Sequence, residues 1–78
     1  MSKKQIVKGG ESVHYPFGTY RMGYDIVQDG ATFYLSVMNG SLEIFKGPNA
    51  ASLQEAEATG VAALKLANPR LAVNVGIL

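Results

Sequence analysis

His14 is the only histidine in the chain, and Glu11 and Ser12 beside it complete the residue types of a nucleophilic relay. A relay needs hydroxyl, imidazole and carboxylate held in hydrogen-bonded series. Neighbours in one short segment carry no such constraint, so His14 reads as a loop histidine. With a single histidine and no cysteine, neither a two-histidine site nor a thiolate site has its ligands within one chain. No catalytic residue, metal or cofactor is expected.

The carboxylates Glu11, Asp25, Asp29, Glu43, Glu55 and Glu57 are scattered. A glycosidase-like pair requires a defined separation inside a cleft, and a chain of 78 residues has little volume for one. They read as solvated face charges. Gly9-Gly10 and Gly18 lack the Gly-Lys-Ser/Thr that cradles phosphate, and no Gly-x-Gly-x-x-Gly opens a helix. Asn39-Gly40-Ser41 matches a glycosylation triplet but reads as turn chemistry. No small-molecule ligand is indicated.

The chemistry that stands out is recognition. Tyr34 and Phe45 are expected to oppose each other on one sheet face, with Val27, Thr32 and Met38 beside them and Arg21 near Met38; Tyr15, Phe17 and Tyr20 precede in sequence. Tyr, Phe, Met and Arg are enriched at recognition hot spots. Two arrangements fit: an exposed docking patch, or the segment from Val13 to Phe17 folded back over this face to complete a small core.

The elements that position these residues follow from turn signals and periodicity. Asp29-Gly30 and Asn39-Gly40 separate three alternating apolar runs, which is a hairpin pattern. Two-residue turns there pair Ile26 with Phe33, Tyr24 with Leu35, Val37 with Leu42 and Leu35 with Ile44. The expected core face is Met22, Tyr24, Ile26, Phe33, Leu35, Val37, Leu42 and Ile44; the opposite face carries Arg21, Asp25, Val27, Thr32, Tyr34, Ser36, Met38, Glu43 and Phe45.

Ser52-Leu-Gln-Glu55 is a capping box that starts a helix. Leu53, Ala56, Gly60, Ala63, Leu64 and Ala67 share one helical stripe of mostly small residues, and Gly60 predicts an aromatic such as Tyr24 or Phe33 filling its space. Asn68-Pro69 ends the helix. Leu71, Val73 and Val75 then alternate as a last strand, brought in parallel by a right-handed crossover.

The expected fold class is therefore α+β. It comprises a three-stranded antiparallel meander (about 19–28, 31–38 and 41–46), one helix (about 53–67) on one face, and a short C-terminal strand (about 71–75). Residues 1–10 read as a flexible basic arm, with Gln5-Ile6-Val7 as an optional edge strand, and 11–78 as a single domain. Residues 11–18, with Pro16, read as an aromatic loop or a broken edge strand.

Lys3, Lys4 and Lys8 give the first ten residues their basic character, but from residue 11 onward four basic residues face six acidic ones. A duplex-binding surface concentrates Lys and Arg instead. The basic start is not followed by the apolar run of a signal peptide, and no segment has the ~20 apolar residues of a membrane span. A cytoplasmic location is the expectation.

The run Tyr24-Asp-Ile-Val-Gln-Asp-Gly, then Phe33-Tyr-Leu-Ser-Val, Ser52-Leu-x-Glu-Ala56 and Ala62-Ala-Leu-Lys-Leu66, resembles the strand, strand, strand, helix core of HicB-family antitoxins over about half the chain. It departs at the plain Asn39-Gly40 hairpin, where that family has a proline and glycine-containing loop. The likeness implies toxin inhibition by binding. In size, lack of cysteine and topology the chain also looks like small proteins of bacteriophages and mobile elements, among them anti-CRISPR proteins, which implies an inhibitor that blocks a host protein. The DNA-binding arm of phage-type integrases shares the three strands and helix but is rich in basic residues.

These readings converge on a non-enzymatic protein-interaction module. Its partner would be a host protein or a second copy of the chain, met through Arg21, Tyr34, Met38 and Phe45 with Tyr15, Phe17 and Tyr20 adjoining. The alternative is a nucleic-acid binder using the basic arm and stacked aromatics.

Overall fold

The two hairpin signals at Gly30 and Gly40 build the centre of the molecule. The computed structural model describes residues 4–9, 12–15, 18–21 and 23–77, with the backbone alone for 12–15 and 18–21. In chain order its elements are β1 (Lys4–Lys8), β2 (Ser12–Tyr15), β3 (Gly18–Arg21), β4 (Asp25–Asp29), β5 (Thr32–Asn39), β6 (Leu42–Lys46), α1 (Leu53–Ala67) and α2 (Pro69–Asn74). Strands β1, β4, β5 and β6, in that order, form an antiparallel sheet, and β2 and β3 pair as a separate hairpin. The α+β class, the meander and the helix on one face are as the sequence predicts.

Both turns lie one residue later than expected. Gly30 and Gly40 open the loops with φ of 64° and 65°, a position that suits glycine because its φ is positive. Asp29 and Asn39 are thereby drawn into the ladders, so Ile26 pairs with Leu35 and Asn39 with Leu42. Moving a turn by one residue changes every cross-strand partner by two and leaves the faces unchanged. Ile26, Leu35 and Val37 accordingly lie under the helices as predicted, with Tyr24 and Phe33 packed beside them.

Between β5 and β6 the register shifts a second time, by one. Met38 pairs with Glu43 but Val37 pairs with Phe45, so Ile44 is the extra residue of a bulge. A single inserted residue exchanges the two faces beyond it. Phe45 therefore turns to the helix side and packs against the core, correcting its placement opposite Tyr34. Leu42 and Ile44, expected in the core, are 65% and 43% exposed.

The chain after β6 continues along β5. The Gly47 amide donates to the Leu35 carbonyl at 2.7 Å, and Ala50 and Phe33 exchange backbone bonds of 2.7 and 2.9 Å. Ser52 Oγ then accepts from the Glu55 amide at 3.1 Å, and the Glu55 carboxylate accepts from the Ala51 amide at 3.4 Å. This is the predicted cap, with the return bond one residue earlier. Ala56, Gly60 and Leu64 bury the face of α1 that meets the sheet. Leu35, an aliphatic residue, fills the space at Gly60 where an aromatic was expected.

The predicted C-terminal strand is instead α2. Asn68 closes α1 with its amide on the Leu64 carbonyl at 2.8 Å, and its Oδ1 accepts from the Leu71 amide at 3.1 Å to cap the next helix. Pro69 occupies the first turn, where its missing N–H is harmless. Leu71, Ala72 and Val75 pack on the core while Val73 is exposed, a helical and not an alternating pattern. No crossover to a parallel strand is made by this segment.

The remaining expectations divide. Lys4–Lys8, read as arm or edge strand, pairs with β4 along one edge of the sheet. The first expected meander strand is two strands, β3 pairing with β2 and β4 with β1 and β5. Met22 and Phe17 lie outside the described residues.

Candidate interaction surface

The ladders place Asp25, Val27, Tyr34, Ser36, Met38, Glu43 and Lys46 on the sheet face away from the helices. Ile6 joins them through its pairing with Val27. The Ser36 hydroxyl donates to the Glu43 carboxylate at 2.6 Å, and Lys46 Nζ stands 4.7 Å from the Tyr34 ring centroid. Together these contacts tie β5 to β6, as cross-strand side-chain pairs do. A groove of about 390 Å³ runs over this face, with Lys4, Ile6, Tyr34, Met38 and Glu43 among its lining.

This face is not bare. Tyr34 is only 3% exposed, and Asp25, Val27 and Ser36 are buried with it, while the backbone of β3 approaches β5. The cover expected from Val13 to Phe17 lies, in its side chains, outside the described residues. Of the predicted contact residues, Tyr34 and Met38 share the face, Met38 half-buried. Phe45 is on the other side. Tyr15, Tyr20 and Arg21 belong to the β2–β3 hairpin by backbone, and their side chains, like all of Phe17, lie outside the described residues.

Exposed apolar side chains lie along the edges of the sheet. Leu42 and Ile44 project from β6, an edge strand, and Ile6 from β1 at the other edge. Leu66, 88% exposed, lies on the outer side of α1 as its helical position predicts. Alternation along β6 predicts Leu42 and Ile44 in the core, where neither lies. One signal against this was available: a helix faced with small residues lies close to the sheet and covers little of its width.

A second arrangement was not anticipated. Both carboxylate oxygens of Glu57 accept from Lys8 Nζ, at 2.9 and 2.8 Å, and the Tyr24 hydroxyl donates to Glu57 Oε2 at 2.7 Å. The bond from Lys8, then that from Tyr24, holds the Glu57 carboxyl below its usual range despite some desolvation. Burial, then the bond and the charge of Glu57, pushes the Tyr24 phenol up to about 12. Lys8 thus pins β1 to α1, and one arm lysine is engaged in an internal ion pair.

Among the described residues there is no cluster of three or more His, Cys, Asp or Glu that could hold a metal ion, and no helix long and apolar enough to cross a membrane. No family model, curated protein or solved structure matches the chain.

Proposed function

We propose that this chain is a non-enzymatic protein-interaction module whose contact surface is the β6 edge. The observation that carries this reading is the exposure of Leu42 and Ile44, two positions apart on an edge strand. An edge offers unpaired backbone donors and acceptors, and apolar side chains next to it favour strand addition by a partner. An inhibitor that blocks a host protein, the role implied by the likeness to small phage and mobile-element proteins, is one form of this function.

The test compares proteins captured from a host lysate by the immobilised wild type, Ile44→Lys and Leu66→Ala. A charge on the edge disfavours strand addition, so a partner held by wild type and by Leu66→Ala is lost on Ile44→Lys. Equal retention by a folded Ile44→Lys protein would show that the edge is not the contact surface.

A further inference from the structure

The charges of β6 identify the kind of strand that fits against it. Glu43 and Lys46 are three positions apart, and in a regular strand they would point to opposite faces. The bulge at Ile44 brings them to the same face, Glu43 opposite Met38 and Lys46 opposite Ser36. β6 therefore carries, on one face, an acid and a base in an order that is complementary to itself when reversed, Glu43 being also bonded to Ser36 and Lys46 standing over Tyr34.

Resting on the interaction reading above, we propose that the β6 edge pairs with β6 of a second copy of this chain, antiparallel about a two-fold axis, joining two four-stranded sheets into one of eight strands. Glu43 of each copy then faces Lys46 of the other. Ile44 faces Phe45 of the other copy, so both bulges meet on the axis and neither ladder is thrown out of step. Registers that set Glu43 against Glu43 or Lys46 against Lys46 place like charges directly opposite and are disfavoured.

The geometry also closes. A two-fold pairing uses the same edge in both copies and leaves no free β6, so it ends at a dimer. At the other edge β1 reads Lys-Gln-Ile-Val-Lys, with bases and no acid, so a reversed copy would set Lys4 against Lys8, a like-charge pairing that is disfavoured. One five-residue edge strand buries less than the ~1,200 Å² of a standard stable interface. The dimer is accordingly weak, forming at micromolar to sub-millimolar chain concentrations.

Sedimentation velocity on the full chain over three decades of concentration tests this. Wild type shifts from monomer to dimer. Glu43→Lys and Lys46→Glu each weaken association by about tenfold or more, because two attractive pairs become repulsive. Mixing the two single variants restores dimers, since one then presents only bases and the other only acids. Ser36→Ala, which removes the internal partner of Glu43 without changing charge, still dimerises; Glu43→Gln and Lys46→Gln serve if a reversal perturbs folding, and should weaken association less. Wild type that stays monomeric throughout, or single variants that associate like wild type, would overturn the dimer. A monomer whose foreign partner is lost on Ile44→Lys leaves the interaction reading standing; a monomer whose partner is retained on that variant defeats both.

Discussion

Gly60 of α1 rests directly on Leu35 of β5. A Cβ added at Gly60 would overlap Leu35 Cβ and lie 3.0 Å from its Cδ1. On the same side, a Cβ on Gly47 would come within 3.1 Å of Gly60 Cα. The helix is thus set against the sheet at a separation that only a missing side chain permits, and Leu35 is buried completely by it.

Gly60→Ala is expected to destabilise the protein, although alanine is the better helix former by roughly 1 kcal/mol. Overpacking a filled site costs about 1–3 kcal/mol and here meets a Cβ close to the strand backbone. A net loss of about 1 kcal/mol lowers Tm by roughly 4–8 °C in a domain of this size. A Leu35→Ala background relieves only the Cγ and Cδ1 contacts and keeps the Cβ that the new methyl would overlap, so the same change should still destabilise there, and thermal denaturation of the four proteins measures that coupling.

Stability should fall at both ends of the pH range through Glu57 and Tyr24. Glu57 has a lowered pKa in the fold, so its contribution is full above its ordinary value of 4.5 and is lost as pH falls through the lower folded value. Tyr24 is raised from 10.0 to about 12, so its contribution is full below 10 and is lost as pH rises toward 12. Urea midpoints across pH should show both limbs. Glu57→Gln should flatten the acid limb, and Tyr24→Phe the alkaline one at a cost of roughly 1 kcal/mol at neutral pH.

Asn68→Ala should loosen α2 while leaving α1 formed. The side chain caps α2 through the Leu71 amide, whereas the bond to Leu64 uses the Asn68 backbone and survives the change. The expected cost is about 1 kcal/mol. Hydrogen exchange should quicken at the amides of Ala72 and Val75 before those of α1.

Phe45→Ala and Tyr34→Ala should act on folding. Phe45 packs against the core and Tyr34 is buried, so each truncation is expected to cost on the order of 2–4 kcal/mol. Leu66→Ala, at an exposed position, should stay within about 0.5 kcal/mol of wild type. Chemical denaturation distinguishes them directly.

The legible parts of this fold are those whose signals lie within a few residues. Gly30 and Gly40 located the hairpins, and Ser52 with Glu55 located the helix start, because turn dihedrals and cap bonds are local. The turn positions were displaced by one, yet the faces of Ile26, Leu35 and Val37 stood, since that error moves partners by an even number. The candidate site was less legible. Tyr34 and Phe45 were paired by extending the alternation through Ile44, and nothing within β6 announces a bulge there. Leu71 to Val75 fits an alternating pattern as well as a helical one, and the cap at Asn68 was read only as an ending.

By itself the sequence determined an antiparallel meander and a capped helix with a face of small residues. Tertiary structure alone decided that Phe45 faces the helices, that Tyr34 is buried, that β1 is held through Lys8 and Glu57, 49 positions apart, and that the last segment is helical. Those outcomes depend on which distant surfaces meet. Seating Phe45, and not Ile44, against the core depends on packing between elements distant in sequence, which no window along the chain contains.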